Sequence, residues 1–175
     1  ALAGLDSGLR TPQDEVFSTG EFHIPGQRRG YRDAHGGAGW TDLRDSISES
    51  VNYYYYKLAY EMGIERFAQY MHKYGFGERT GIDLVGENEG IVPSKEWKAS
   101  RTREPWYPGE TVIAGIGQGY WIATVLQLVR GTAATANNAD LVRPHLVAER
   151  RDGYNTPWTP LPQPTPPRIT DNPAN

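Results

Sequence analysis

Ser50-Val51-Asn52 is the stretch whose residue types first invite chemistry. It sets a hydroxyl and a carboxamide two residues apart, and both groups can donate and accept hydrogen bonds. It stands at the joint between two predicted helices. A serine ahead of a helix ordinarily serves as a cap for an orphan N–H of the first turn. The triplet alone therefore does not establish a site. His23 and His35 raise the idea of a metal, but a glycine-rich stretch separates them without any ligand-like spacing. Glu87 and Glu89 are paired carboxylates of the kind glycoside hydrolysis uses, yet acidic loops are ordinarily only solvated. Gly115-Ile116-Gly117-Gln118-Gly119 lacks the downstream strand and acidic residue of a dinucleotide loop. Glycine there suits close backbone approach beside a cleft.

Composition narrows the classes. The chain has 175 residues, the size of one domain or a large piece of one. A net charge of -3 argues against binding a nucleic-acid backbone, whose signature is a basic face. The absence of cysteine excludes a disulfide framework and thiolate zinc ligation. No apolar run approaches the ~20 residues of a membrane span, and no signal peptide is visible. Ala1–Leu9 reads as the tail of a helix ending near Gly8, with no cap in front. The chain is thus expected to begin inside an element, with a targeting or membrane segment upstream in a longer parent.

The elements that must position the triplet follow from periodicity and punctuation. Glu15–Ile24 reads as one or two short strands with Gly20 at a turn. Pro25–Gly39 reads as a glycine-rich loop. Thr41 or Asp42 caps a short helix through Glu49, with Leu43 and Ile47 on its apolar side. Ser50 opens a helix over 51–62 that Gly63 ends, and a second helix runs over 64–74. Four consecutive tyrosines, Tyr53–Tyr56, cannot all face one way, so two are expected inside and two at a surface. Gly81–Leu84 reads as a short extended piece. Ser94 caps a helix over 95–100, and Trp106–Gly109 reads as a turn. Tyr120–Asn137 reads as one long helix with Trp121, Val125, Leu128, Val129, Thr132 and Ala136 on one face. Leu141–Glu149 reads as a strand. Residues 156–175 are proline-rich and read as an extended linker without regular structure.

Three stretches, in order, resemble the penicillin-binding transpeptidase family. The first is Ser46–Glu61, holding Ser50-Val51-Asn52 and Lys57-Leu58-Ala59. The second is Tyr74–Gly77 leading to Thr80–Leu84. The third runs from Gly115–Gly119 through Thr124, Leu126-Gln127 and Ala134–Asn137 to Arg143–Val147. Arg28–Asp33, Trp97-Lys98 and Pro105-Trp106-Tyr107 resemble the elongation-specific class B branch of Gram-negative bacteria, the penicillin-binding protein 2 type. The resemblance implies a fold that is mainly α with short strands: the helical portion of the α/β fold shared with serine β-lactamases, truncated at both ends. Residues 1–155 would be the helical part of the transpeptidase domain and 156–175 the linker.

The family works with three motifs. Of these the sequence holds only Ser-x-Asn. No serine has a lysine three residues on, and no Lys-Thr-Gly occurs; Arg79-Thr80-Gly81 follows a helix rather than a strand. By resemblance the missing motifs lie outside the chain, and the fragment alone is inactive. Ser50 would hydrogen-bond the absent lysine and relay a proton to departing D-alanine, as a neutral hydroxyl can. Asn52 would orient the acyl-donor peptide. Some relatives bind zinc near this motif through carboxylates, a histidine and a cysteine at the middle triplet position. Here that position is Val51 and only Asp33 matches, so neither metal nor cofactor is expected. The resemblance implies a parent at the periplasmic face of the inner membrane, anchored by an N-terminal membrane helix. Its partners would be peptidoglycan stem peptides, β-lactams, a cell-elongation glycan polymerase and scaffold proteins, with no nucleic acid. Two alternatives stand beside it: a non-catalytic sensor or assembly module of the same fold, and a glycan-binding helical module using Tyr53–Tyr56 and the tryptophans. Without a packed sheet, apolar helix faces should be exposed and stability marginal.

Overall fold

Among the described residues, 1–170 of the computed structural model, the chain forms seven helices and six short strands. In order these are α1 (Leu2–Asp6), β1 (Val16–Ser18), β2 (Glu21–His23), β3 (Gly30–Arg32), β4 (Gly39–Thr41), α2 (Leu43–Ser48), α3 (Asn52–Met62), α4 (Ile64–Lys73), α5 (Lys95–Thr102), α6 (Pro108–Ala114), α7 (Val125–Ala136), β5 (Glu149–Arg150) and β6 (Thr159–Pro160). The presence of several helices beside a few short strands agrees with the expected combination of elements.

Helix α3 is the central element. Tyr54, Leu58 and Met62 face one apolar cluster with Val51, Ala3 and Tyr74. Tyr56 faces a second cluster with Phe22, Ile24, Tyr31 and Val112. The tyrosine run divides as its length requires: Tyr54 and Tyr56 are buried, while Tyr53 and Tyr55 are half-buried. Gly63 links α3 to α4 with φ +74°, a conformation that favours glycine. Helix α6 lies so close to α3 that a Cβ on Gly115 would stand 2.4 Å from the Ala59 Cβ.

The strands form three antiparallel two-stranded ladders: β1 with β4, β2 with β3, and β5 with β6. Val16 pairs with Thr41 and Glu21 with Arg32, so the β2–β3 hairpin nests inside the β1–β4 pair. The stretch 25–39, read as all loop, therefore contains β3 and the start of β4. The signal was weak because each strand has only three residues and two begin with glycine.

Other expectations change for identifiable reasons. Asp42 caps α2, its Oδ1 accepting the Asp45 N–H at 2.8 Å, but Ile47 is exposed rather than part of an apolar face. Trp106–Gly109 is not only a turn, because Pro108 occupies the first turn of α6, where proline is well placed. The long helix expected over 120–137 is only Val125–Ala136. Thr124 and Gln127 close a reciprocal capping box at its start, and Ile122 bridges to Ile91 instead. The inward face of α7 is also different: Gln127 and Ala134 are buried, while Val125, Leu128 and Val129 are exposed. Gln127 is satisfied inside. Its Nε2 donates to the Glu78 and Glu89 carbonyls at 2.7 and 2.8 Å, and its Oε1 accepts the Thr124 N–H.

The strand expected over 141–149 shrinks to β5. Residues before it are held otherwise: the Leu141 N–H donates to the Pro167 carbonyl, and the Asp83 carboxylate accepts the Leu146 and Val147 N–H groups at 2.7 and 2.9 Å. The proline-rich stretch carries β6, and Ile169 is buried in the first cluster. It is therefore docked, contrary to the expectation of no regular structure; residues 171–175 lie outside the described residues. Lys98 is buried against Glu110 at 2.5 Å and lies 4.5 Å from the Tyr107 ring centroid. The Trp106 Nε1 donates to Thr111.

Two outcomes follow from this packing. Gly115→Ala is expected to destabilise the protein by about 1–3 kcal/mol, since the added methyl must push α6 from α3; urea unfolding measures it. The Leu146 and then the Val147 amide hold the Asp83 carboxyl below its usual range. A depressed carboxylate pKa gives stability that is present above the unfolded value and lost as pH falls through the folded one. Asp83→Ala should therefore lose stability at neutral pH and flatten the acid limb of an unfolding-versus-pH curve.

Candidate functional site

The site grows from the joint between α2 and α3. Helix α2 ends with Glu49 as its C-cap. The Ser50 N–H donates to the Ile47 carbonyl at 3.3 Å, and the Val51 N–H to the Ser46 carbonyl at 3.0 Å. This pair of bonds is a Schellman turn, and Ser50 occupies the left-handed position at which glycine is usual. Its φ is +55°. A side chain in this region costs about 1–2 kcal/mol. The structure does not use the hydroxyl in return. Ser50 is exposed, and its Oγ has no hydrogen-bond partner among the described residues. The expected cap is absent, because Ser50 lies one residue too early: Val51 is the N-cap of α3.

Val51 cannot cap. Its isopropyl group is buried in the first apolar cluster. The first turn of α3 instead receives a carboxylate from far along the chain. Asp33 Oδ2 accepts the Tyr53 N–H at 2.8 Å. A carboxylate at a helix N-terminus satisfies an orphan donor and complements the helix dipole. Asp33 itself is nearly buried. Its N–H donates to the Gly20 carbonyl at 2.7 Å, and its Oδ1 accepts the His35 N–H at 3.5 Å. Gly20 has φ +88°, and a Cβ there would stand 2.6 Å from the Gly37 nitrogen. The turn at Gly20 and the loop at Gly36-Gly37 thus touch backbone to backbone. Tyr56 Oη donates to the Arg32 carbonyl at 3.3 Å, and Ser46 and Tyr55 share a hydroxyl hydrogen bond at 3.0 Å. These bonds tie β3, α2 and α3 into one frame.

The frame borders an open pocket of about 530 Å³ lined by Asp33, His35, Gly36, Gly37, Ser50 and Val51, among others. Asn52 is the first residue of α3, half-buried, and its carboxamide also makes no hydrogen bond among the described residues. Ser50 and Asn52 therefore form a hydroxyl and an amide left free by the fold. The two histidines do not converge: His23 lies on β2 beside Glu21 at 3.6 Å, and His35 lines the pocket. Among the described residues no group of three or more His, Cys, Asp or Glu side chains is placed to hold a metal. Val51 offers no ligand atom, and the Asp33 carboxylate is engaged by amides, so the zinc site of some relatives does not fit these residues. Glu87 is a structural acceptor for Thr80 and Gly81 rather than half of a carboxylate pair. Tyr53–Tyr56 are engaged in ring contacts rather than forming an open platform. The positioning contact of Asp33 escaped sequence reasoning, because nothing local marks a partner on another element.

Comparison with known proteins gives the family of the chain. Residues 1–173 match the family described as penicillin binding protein transpeptidase domain. The peptidoglycan D,D-transpeptidase MrdA of Escherichia coli K12 is 38% identical over 173 residues, covering 98% of this chain and 27% of that protein. The crystal structure of Pseudomonas aeruginosa PBP2 in complex with WCK 5153 superimposes with a TM-score of 0.87 at 43% identity, over 97% of this chain and 36% of that one. A complex between penicillin-binding protein PBP2 and MreC from Helicobacter pylori gives a TM-score of 0.78 at 32% identity, over 91% and 29% of the two chains. The chain belongs to the penicillin-binding protein transpeptidase family, and its resemblance to the penicillin-binding protein 2 type holds. It spans about a quarter of the length of the MrdA protein it matches.

Ser50→Gly is expected to raise unfolding stability by about 0.5–1 kcal/mol, because relief of the left-handed strain exceeds the added chain entropy. Ser50→Ala should stay within about 0.5 kcal/mol of the parent, since no hydrogen bond is lost. Urea unfolding of the two variants side by side checks both.

Proposed function

We propose that this chain is part of a peptidoglycan D,D-transpeptidase that cross-links stem peptides through an acyl-enzyme and is acylated by β-lactams. The single observation that carries the reading is Ser50: an exposed hydroxyl held in a strained left-handed turn, with no structural partner. Arg103, Asn138 and Ala139 also have positive φ, so it is the combination of the left-handed turn with the unbonded hydroxyl beside Asn52 that supports a functional reading of Ser50. Membership of the transpeptidase family supports the same reading.

In the proposed mechanism the nucleophilic serine and its lysine come from a Ser-x-x-Lys motif outside residues 1–175, and the far wall of the cleft from a Lys-Thr-Gly strand. Residues 1–175 alone are therefore inactive. Ser50 Oγ accepts a hydrogen bond from the lysine and passes a proton to the leaving D-alanine amine as the acyl bond forms. Asn52 uses its carboxamide to hold the donor peptide in line for attack. Val51 takes no chemical part and anchors the motif by burial. Residues 1–155 serve as the helical part of the transpeptidase domain. The proline-rich stretch from 156 leads out of that part, docked through β6 and Ile169. The outward Val125, Leu128 and Val129 of α7 are covered by the rest of the domain in the whole protein.

For the whole protein we infer a place at the periplasmic face of the inner membrane, with an anchor outside this chain. No helix among the described residues is long and apolar enough to cross a membrane. A scaffold protein and a cell-elongation glycan polymerase are the inferred partners; the Helicobacter pylori relative has been captured with MreC.

The test is an intact mass spectrum of the full-length protein after incubation with penicillin, beside residues 1–175 alone. An adduct on the full-length protein only is expected. Ser50→Ala in that protein should slow adduct formation by about 10²–10⁴-fold while leaving the unfolding temperature unchanged. An adduct on residues 1–175 would contradict the helper role of Ser50. No adduct on either would favour a non-catalytic sensor or assembly module.

A further inference from the structure

We propose that Asp33 is a positioning residue for the Ser50–Asn52 motif, acting through the α3 N-terminus without a metal; the proposal rests on the transpeptidase reading above. Three observations carry it. First, α3 has no cap of its own, because its N-cap residue is the buried Val51. Second, the missing acceptor is supplied by Asp33 Oδ2, 2.8 Å from the Tyr53 nitrogen, next in sequence to Asn52. Third, Asp33 is fixed from behind. Its N–H is held by the Gly20 carbonyl at 2.7 Å, and the following loop packs against Gly20 too closely for any side chain.

The consequence is geometric. Ser50 and Asn52 flank Val51 and make no side-chain hydrogen bond among the described residues. Their directions are set by backbone alone: the Schellman turn behind Ser50 and the first turn of α3 ahead of it. Asp33 holds that first turn. Releasing it lets the turn fray, because the Tyr53 N–H loses its acceptor. A fray of this kind moves Asn52 and Ser50 without removing either, and misplacement by about 1 Å can slow a reaction by about 10²-fold. Asparagine caps helices about as well as aspartate, so the role needs the acceptor oxygen more than the charge.

The experiment uses the full-length protein and follows penicillin acylation by rapid mixing, resolving non-covalent binding from the covalent step. Asp33→Ala is expected to slow the covalent step by about 10- to 100-fold. Initial binding should stay within about threefold, since uniform binding is separable from transition-state positioning. Asp33→Asn is expected to restore the covalent step to within about threefold of the parent. Should Asp33→Ala fail to fold, Asp33→Ser is read instead; its shorter arm cannot reach the Tyr53 N–H, and it should show the same loss. A folded Asp33→Ala or Asp33→Ser protein that acylates at the parental rate overturns the proposal. Slowing in Asp33→Asn equal to that in Asp33→Ala also overturns it, because the acceptor oxygen would not be the operative feature. A parent protein that forms no adduct refutes the transpeptidase reading itself, and this role with it.

Discussion

Helix α3 begins on a residue that cannot cap it, and the bond from Asp33 to the Tyr53 N–H makes good that lack. Val51 is drawn into the apolar core, which anchors the joint but leaves the helix end open. A carboxylate from the β3 end closes it. The bond also fixes how the nested hairpins sit on α3, because Asp33 is held by Gly20 on one side and follows Arg32, whose carbonyl accepts from Tyr56, on the other. One buried side chain therefore joins the glycine-rich loop, the hairpins and the central helix. Helix α6 packs directly on α3 at Gly115, while Gln127 ties α7 to the loop that carries Glu78 and Glu89.

The joint itself combines stability and strain. A Schellman turn would be most stable with glycine at its left-handed position. Serine stands there, its hydroxyl exposed and unbonded. Native proteins retain such locally unfavourable choices mainly where function requires them. The neighbouring Asn52 is similar in kind: a polar side chain at the first helical position whose carboxamide the fold leaves unused. In the proposed function these two free polar groups would bind and orient the substrate.

Much of this was legible in the sequence where one local interaction dominates. Asp42 and Ser94 cap their helices with side-chain bonds, and Gly63 adopts the positive φ that its place between two apolar periods implied. Helical geometry required the tyrosines to divide, but not which pair lies inside: periodicity put Tyr55 on the apolar face, whereas Tyr54 and Tyr56 are the buried ones. What was not legible depended on distant partners. Strands β3 and β4 exist because β2 and β1 pair with them, and three residues leave no periodicity to read. The apolar stripe of α7 pointed outward because Gln127 found three partners inside, two of them carbonyls on a loop far away in the chain. Ser50 looked like a cap because its type suits one; the turn geometry displaced it by one residue. The Asp33 contact spans twenty residues and two elements, and only the fold brings it to α3.

We infer that Ser50 is kept in a strained turn for its hydroxyl. The most direct test measures unfolding stability and the penicillin acylation rate on one sample of full-length Ser50→Gly protein. The two should move in opposite directions: higher stability and an acylation rate lower by about 10²-fold or more. Higher stability with an undiminished acylation rate would contradict it.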